Sequence, residues 1–390
     1  MTRTIDTLSD VATTAAPVPP CAVYDADTIT KQVQRLRAYL RRSYENSRIH
    51  YAVKACYLRP VVRHIVSLGC GLEIMSPIEH RIAACFAVTG PNVVWNGPAL
   101  DEPTLRGAVD RHERINVDSV AMFNVIQRLA APRGAPIAVG LRLNLTGHGK
   151  LGITPDLAEP LLRSSRVSVV GFHIHDGTRS RGPAHWVGQR QDLLELLAGW
   201  EQRHGIVIQY IDVGGGLEPG HEPHVYLDGC LSSIGRLHSE PQLLIEPGAY
   251  LVEEAGTALA RVVSVKSIGS TRWAVTDLGS QYLVPLDRSN FHVDHGAAHE
   301  GDKRMSIAGP MCFEADVVAH DQVMDVQAGH VVRVSRCGAY TASMSSCFGA
   351  PPPCLYWQQQ DRLQRIERVP DGDQLFFAMH GYGDSFDCKK

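Results

Sequence analysis

The chain has 390 residues, enough for two domains or for one large barrel with a smaller partner. A formal net charge of −3 and a pI near 6.6 give no basic footprint for nucleic acid or an anionic membrane. No apolar run approaches the length of about eighteen residues that a spanning helix needs, so a small polar substrate is the neutral expectation.

Residues 1–18 read as a loose leader, because Asp6 and Asp10 interrupt any export-like apolar run. Residues 19–26, which hold all but the last residue of "CAVYDAD", read as a strand that joins a later domain. From residue 27 to 250 strand-like runs alternate with helical spacing: "HYAVKA", "GLEIM", "NVVWNGP", "RINVDS", "IAVGLRLN", "SVVGFHIH", "VIQYIDVGGG" and "LLIEPG". Such alternation predicts an α/β fold, a parallel (β/α)₈ barrel of the usual ~250-residue size, with an open doubly wound sheet as the alternative. Residues 251–390 change rhythm to strands separated by turns and predict a second, mostly antiparallel β domain. The ten cysteines are scattered with no CxxC pair, which points to buried thiols in a reducing cytosol and to no zinc cage.

Chemistry in (β/α)₈ barrels gathers at the C-terminal ends of the strands. Here those ends carry Lys54, Glu73, Asn96, Asp118, Arg142, His175, the triplet Gly214–Gly215–Gly216 and Glu246. Lys54 alone would read as an edge-strand lysine reaching for water. Among these neighbours it reads as an amine kept nucleophilic. His173 and His175, two apart, share one face of a strand. They could bind a metal, stack on an aromatic cofactor, or be satisfied core residues. The glycine triplet can offer bare amides to a phosphate, although its spacing is neither a dinucleotide fingerprint nor a P-loop. A buried Glu246 needs a partner, either a protonated ring nitrogen or a salt bridge to Arg142. Lysine, phosphate cradle, flat ring and carboxylate together describe a socket for pyridoxal 5′-phosphate, with no metal required.

Read as motifs, the same residues resemble the fold-type III pyridoxal-phosphate decarboxylases, the diaminopimelate, ornithine and arginine decarboxylases with alanine-racemase-like barrels. The likeness runs from about Pro19 to Met379. "YAVKA" resembles the Schiff-base lysine motif, giving Lys54, and "GLEIMSPIE" places Glu73 where an aspartate is usual. "NVDS" is similar to the diaminopimelate branch. "GFHIHDGT" implies that His175 stacks on the cofactor and that Thr178 contacts its phosphate. "GGG" and "EPG" imply a phosphate loop, a carboxylate for the pyridine nitrogen at Glu246, and cofactor contact at Gly248. "GPMCFEAD" implies that Cys312 and Asp316 cross a dimer interface to the partner's site, Cys312 as the acid that returns a proton to Cα. "CGAYTASMSS" implies that Tyr340 reaches the cofactor.

The resemblance further implies a cytoplasmic homodimer with shared sites and an amino-acid substrate. One departure is pronounced: the family's EPGR is "EPGAY" here, so Ala249 supplies no cation, and Arg179 and Arg181 in "GTRSRG" are candidates to replace it for substrate. The departures favour a specialised decarboxylase acting on a modified or conjugated amino acid, with siderophore or antibiotic assembly as the analogy. The alternatives are diaminopimelate decarboxylation for lysine synthesis, racemisation or epimerisation, and non-catalytic binding of the cofactor. Racemases of this group usually set arginine against the pyridine nitrogen, so Glu246 argues against that alternative.

Overall fold

The structure is a computed structural model and describes residues 17–176, 182–284, 291–295 and 303–366. The leader therefore lies almost wholly outside the described residues. Thr178, Arg179 and Arg181 also lie outside them. The chain divides into two compact units, one of residues Thr30–Leu251 and one of Met1–Ile29 with Val252–Lys390.

β1 (Cys21–Asp25) belongs to the second unit. The first unit is built on eight parallel strands: β2 (Ser47–Ala52), β3 (Gly71–Ile74), β4 (Val93–Trp95), β5 (Arg114–Val117), β6 (Ile137–Arg142), β7 (Val167–His173), β8 (Tyr210–Asp212) and β9 (Gln242–Ile245). They close into a barrel, β9 pairing with β2 through Ser47↔Leu243 and Ile49↔Ile245. Every run read from the sequence supplies one of these strands. The open-sheet alternative is thereby corrected: β9 pairs with β2 and leaves no edge.

Local chemistry starts the helices between strands. Ser76, Asp101 and Ser119 each cap a helix, their side chains accepting from the amides of Glu79, Thr104 and Met122. Inside the barrel, Val94, Val170, Tyr210 and Leu244 form a packed apolar layer. Gly140 and Gly171 make room for it, since a Cβ at either position would fall 2.3 Å from an atom of the Tyr210 ring or its hydroxyl.

The second unit holds a sheet in the order β14 (Val317–Val323), β13 (Arg304–Ala308), β11 (Thr271–Thr276), β10 (Gly256–Ile268), β1, β16 (Cys354–Gln359), β17 (Arg362–Ile366). β12 (His292–Asp294) pairs with β15 (Val331–Ser335), which pairs with β10. The pairings are antiparallel except β1 with β16 and β11 with β13. No helix among the described residues is long and apolar enough to cross a membrane.

Candidate active site

Two strand ends differ from the sequence expectation. β2 stops at Ala52, whose amide donates to Pro247 O at 3.3 Å, and Val53–Ala55 form a 3-10 turn that carries Lys54 out over the barrel mouth. β7 stops at His173, so His175 stands beyond the ladder. In both cases the pairing with the neighbouring strand runs out, at Ala52↔Glu73 and at His173↔Asp212.

Around that mouth the first unit assembles a connected polar network. The Lys54 ammonium forms an ion pair with the buried Glu73 carboxylate. Asn96 Nδ2 lies 3.4 Å from Glu73 Oε1 and 2.5 Å from Glu246 Oε1. Asn116 Nδ2 donates to Asn96 Oδ1 at 2.9 Å and to Asp212 Oδ2 at 3.1 Å, while the Tyr210 hydroxyl donates to Asn116 Oδ1 at 2.9 Å. His173 Nε2 stands 3.4 Å from Glu246 Oε2. Asp212, Asn116, Glu73 and His173 are all at most 1% exposed, so few of these charges are screened by water.

Burial and neighbouring charge divide the carboxyl groups. Burial raises Asp212 well above the usual carboxylate range, the negative Glu246 adds to that, and Asp212 gives its proton to a hydrogen bond with Glu246. Burial opposes ionisation of Glu246 as well, but His173, the Asp212 proton and Lys54 together outweigh it and hold Glu246 below its ordinary value. Glu73 is pushed up to about 7 by burial, with Lys54 pulling against that rise. His175 is pushed down to about 3, first by burial and then by Lys54 and Arg142, so its imidazole is neutral.

Arg142 does not pair with Glu246, which corrects the salt-bridge alternative. Its Nη1 lies 3.3 Å from Asp118 Oδ1 and its Nη2 donates to His175 O at 2.8 Å. Arg142 therefore positions the backbone of His175. The His173 and His175 rings lie nearly parallel, 6.5 Å apart with an interplanar angle of 13°.

The glycine triplet is shaped by contact. Gly214 and Gly216 have φ of +68° and +88°, and a Cβ on Gly215 would fall 2.4 Å from Glu246 O. Gly248 is buried beside them, its carbonyl accepting from Leu251 N at 3.0 Å. Ala249 is 6% exposed and offers no polar atom in its side chain.

The residues expected from the second unit are described within it. Cys312 is exposed. Asp316 is 3% exposed, with both oxygens occupied: Oδ1 by Ser280 N at 2.7 Å and Ser280 Oγ at 2.6 Å, Oδ2 by Met311 N at 2.7 Å. Its carboxylate knits the turn that precedes Cys312. Tyr340 has a positive φ of 60°, a conformation non-glycine residues adopt only when their surroundings enforce it.

These groups fit pyridoxal phosphate on structural grounds. The Gly215 and Gly216 amides have no partner among the described residues, His175 Nδ1 is buried without a hydrogen bond, and an ionised carboxylate shares the mouth with a lysine. The profile described as "Pyridoxal-dependent decarboxylase, pyridoxal binding domain" matches residues 26–253.

The chain belongs to the pyridoxal-phosphate-dependent decarboxylase family. The diaminopimelate decarboxylase of Methanothermobacter thermautotrophicus is 27% identical over 85% of this chain and 85% of its own length. That of Streptomyces coelicolor is 30% identical over 85% of this chain and 82% of its own. A crystal structure of diaminopimelate decarboxylase from M. jannaschii with L-lysine shares the fold, with a TM-score of 0.82, 23% identity and coverage of 90% and 89%. A lysine/ornithine decarboxylase of Vibrio vulnificus with putrescine does so at a TM-score of 0.76, 18% identity and coverage of 88% and 95%. The protein is a pyridoxal-phosphate-dependent decarboxylase of fold type III.

Sequence reading passed over Asn116 and Asp212 as site residues. Asp212 had a usable signal, since an acid closing a strand one residue before three glycines sits at the barrel mouth. Asn116 had none, because an asparagine inside a short apolar strand looks the same whether or not its amide bridges two other strands.

Proposed function

We propose that this enzyme removes the α-carboxylate of meso-diaminopimelate to give lysine, with Lys54, Glu73, Arg142, His175, Gly214, Gly215, Gly216, Glu246, Gly248 and Tyr340 holding pyridoxal phosphate. The observation that carries the reaction class is the buried Glu246 carboxylate, met by Asn96 at 2.5 Å and by His173 at 3.4 Å on the rim that carries Lys54. The diaminopimelate decarboxylases among its relatives, matched over most of both chains, support the substrate.

When bound, the cofactor supplies an aldehyde for an amine and a ring that accepts the electron pair freed as carbon dioxide leaves. Lys54 provides the amine, and Glu73, ionising near neutrality, can hold or release the proton at Nζ. Glu246 would supply the bound ring with a negatively charged acceptor, and Asp212, raised by burial, favours ionisation of Glu246 by donating to it. The neutral His175 ring offers a flat face without adding positive charge beside the ring. Cys312, supplied by the second subunit of a homodimer, returns a proton to Cα. Cysteines that form no disulfide among the described residues support a cytoplasmic setting.

A second reading keeps the same chemistry on a modified or conjugated amino acid, and it is favoured by the buried, uncharged Ala249. Release of carbon dioxide across lysine, ornithine, arginine, diaminopimelate and conjugated diamino acids separates the two. Turnover of diaminopimelate with stoichiometric lysine supports the first reading. Turnover confined to a conjugate overturns it, and no carbon dioxide from any amine removes both. Borohydride fixation followed by peptide mapping should find the adduct on Lys54.

A further inference from the structure

The glycine loop is fastened through its carbonyls. Val213 O accepts from Arg190 Nε at 3.2 Å and Nη2 at 3.0 Å, Gly214 O from Glu246 N at 3.0 Å, and Gly215 O from Trp186 Nε1 at 2.8 Å. On the donor side, Val213 N bonds Leu244 O and Gly214 N bonds Asp212 Oδ1, each at 3.0 Å. The amides of Gly215 and Gly216 have no partner among the described residues.

Peptide planarity turns this pattern into a direction. In a trans peptide the C=O and the following N–H point opposite ways. Trp186 draws the Gly215 carbonyl toward the helix Gly182–His204 and so turns the Gly216 N–H away from it. Glu246 N does the same to the Gly215 N–H through the Gly214 carbonyl. Two adjacent amides are thus left free, the arrangement by which backbone concavities take anions.

Arg190 adds a charge. It is 0% exposed, its guanidinium lies 4.3 Å from the Trp186 ring centroid, and it is paired with Asp176, whose Oδ1 lies 3.8 Å from Nη1. Burial brings it down to about 10, which leaves it cationic at neutral pH. It is a fixed positive charge behind the loop, close enough to lower both His173 and His175.

We propose that Trp186 and Arg190 are positioning residues for the cofactor's phosphate: they hold the Val213 and Gly215 carbonyls back, leave the Gly215 and Gly216 amides to the phosphate, and provide the buried cation that Ala249 does not. The proposal rests on assigning the glycine loop to the phosphate.

The test compares pyridoxal phosphate with pyridoxal, which has the same aldehyde and no phosphate, by equilibrium dialysis against the full chain after removal and return of cofactor. Trp186→Phe keeps an aromatic ring where the indole packs against Tyr226 and under Arg190, and removes the N–H that holds the Gly215 carbonyl. It should weaken pyridoxal phosphate about 3- to 10-fold, the size of one net hydrogen bond. Pyridoxal affinity should not change, and inorganic phosphate should compete less well with the variant's cofactor than with the wild type's. Equal losses for both ligands, or no loss for either, overturn the proposal. Arg190→Lys, which keeps the charge but not the two-pronged grip, should lose part of the same selectivity. If it fails to fold, Trp186→Phe decides alone. Wild-type protein binding both ligands equally would instead overturn the assignment of the loop to phosphate.

Discussion

Asn96 and Glu246 meet at 2.5 Å from strand ends on different sides of the barrel mouth, and the same Asn96 amide lies 3.4 Å from Glu73. One neutral side chain thus keeps two buried carboxyl groups apart while satisfying both. With Asp212 protonated beside it, Glu246 is the group on which the negative charge settles.

Glu246→Gln preserves size and removes that charge. Turnover is expected to fall on the order of 10²-fold or more, the scale of losing one preorganised electrostatic group. Cofactor should still attach to Lys54, seen as a retained visible absorbance band. Steady-state carbon dioxide release at unchanged rate would take Glu246 out of the chemistry.

Acid should destabilise the fold through its buried histidines. His50, 0% exposed, is pushed down to about 4 by burial, and His175 is pushed down to about 3. Below an unfolded value of about 6.5 the unfolded chain binds protons that the native chain refuses, so stability is present above that pH and is lost as pH falls toward 4. Each such histidine contributes a slope of up to about 1.4 kcal/mol per pH unit. Urea melts from pH 7 to pH 4.5 should show this slope, and His50→Gln should reduce it by about one proton. An unchanged slope in His50→Gln would show that His50 is not held neutral.

Gly215→Ala places a Cβ 2.4 Å from the Glu246 carbonyl, a backbone atom fixed by the barrel. The loop or strand end must shift, at a cost of about 1–3 kcal/mol typical of overpacking. Pyridoxal phosphate affinity should fall with it, because the displaced peptides carry the free amides. Thermal melts together with dialysis measure both effects, and wild-type values in each would show that the loop has slack.

Sharing of sites between subunits is testable by complementation. Lys54→Ala and Cys312→Ala chains, each inactive alone, should regain about a quarter of wild-type activity when mixed equally, since half of the dimers then hold one intact site. No recovery after subunit exchange, with exchange shown by mass, would place Cys312 in its own chain's site or outside the chemistry.

Much of this was legible in order along the chain. A strand hydrophobic on both faces and a helix with a 3.6-residue stripe leave distinct marks, so the eight runs from "HYAVKA" to "LLIEPG" could be counted and their polar ends collected. Lys54, His175, the glycines and Glu246 were visible because strand ends and glycine runs are local features.

What the sequence could not set was partnership and charge. Arg142 and Glu246 looked equally suited to each other, yet Arg142 went to Asp118 and Glu246 to Asn96, His173 and Asp212. Asn116, buried in the middle of a strand, became a bridge only when closure brought β4 and β8 to either side of it. The amino-acid order determined which groups arrive at the barrel mouth, because strand length and turn chemistry are short-range. Tertiary structure alone decided which of them carries a proton, because in a space without water that depends on distances of a few ångströms between residues far apart in the chain.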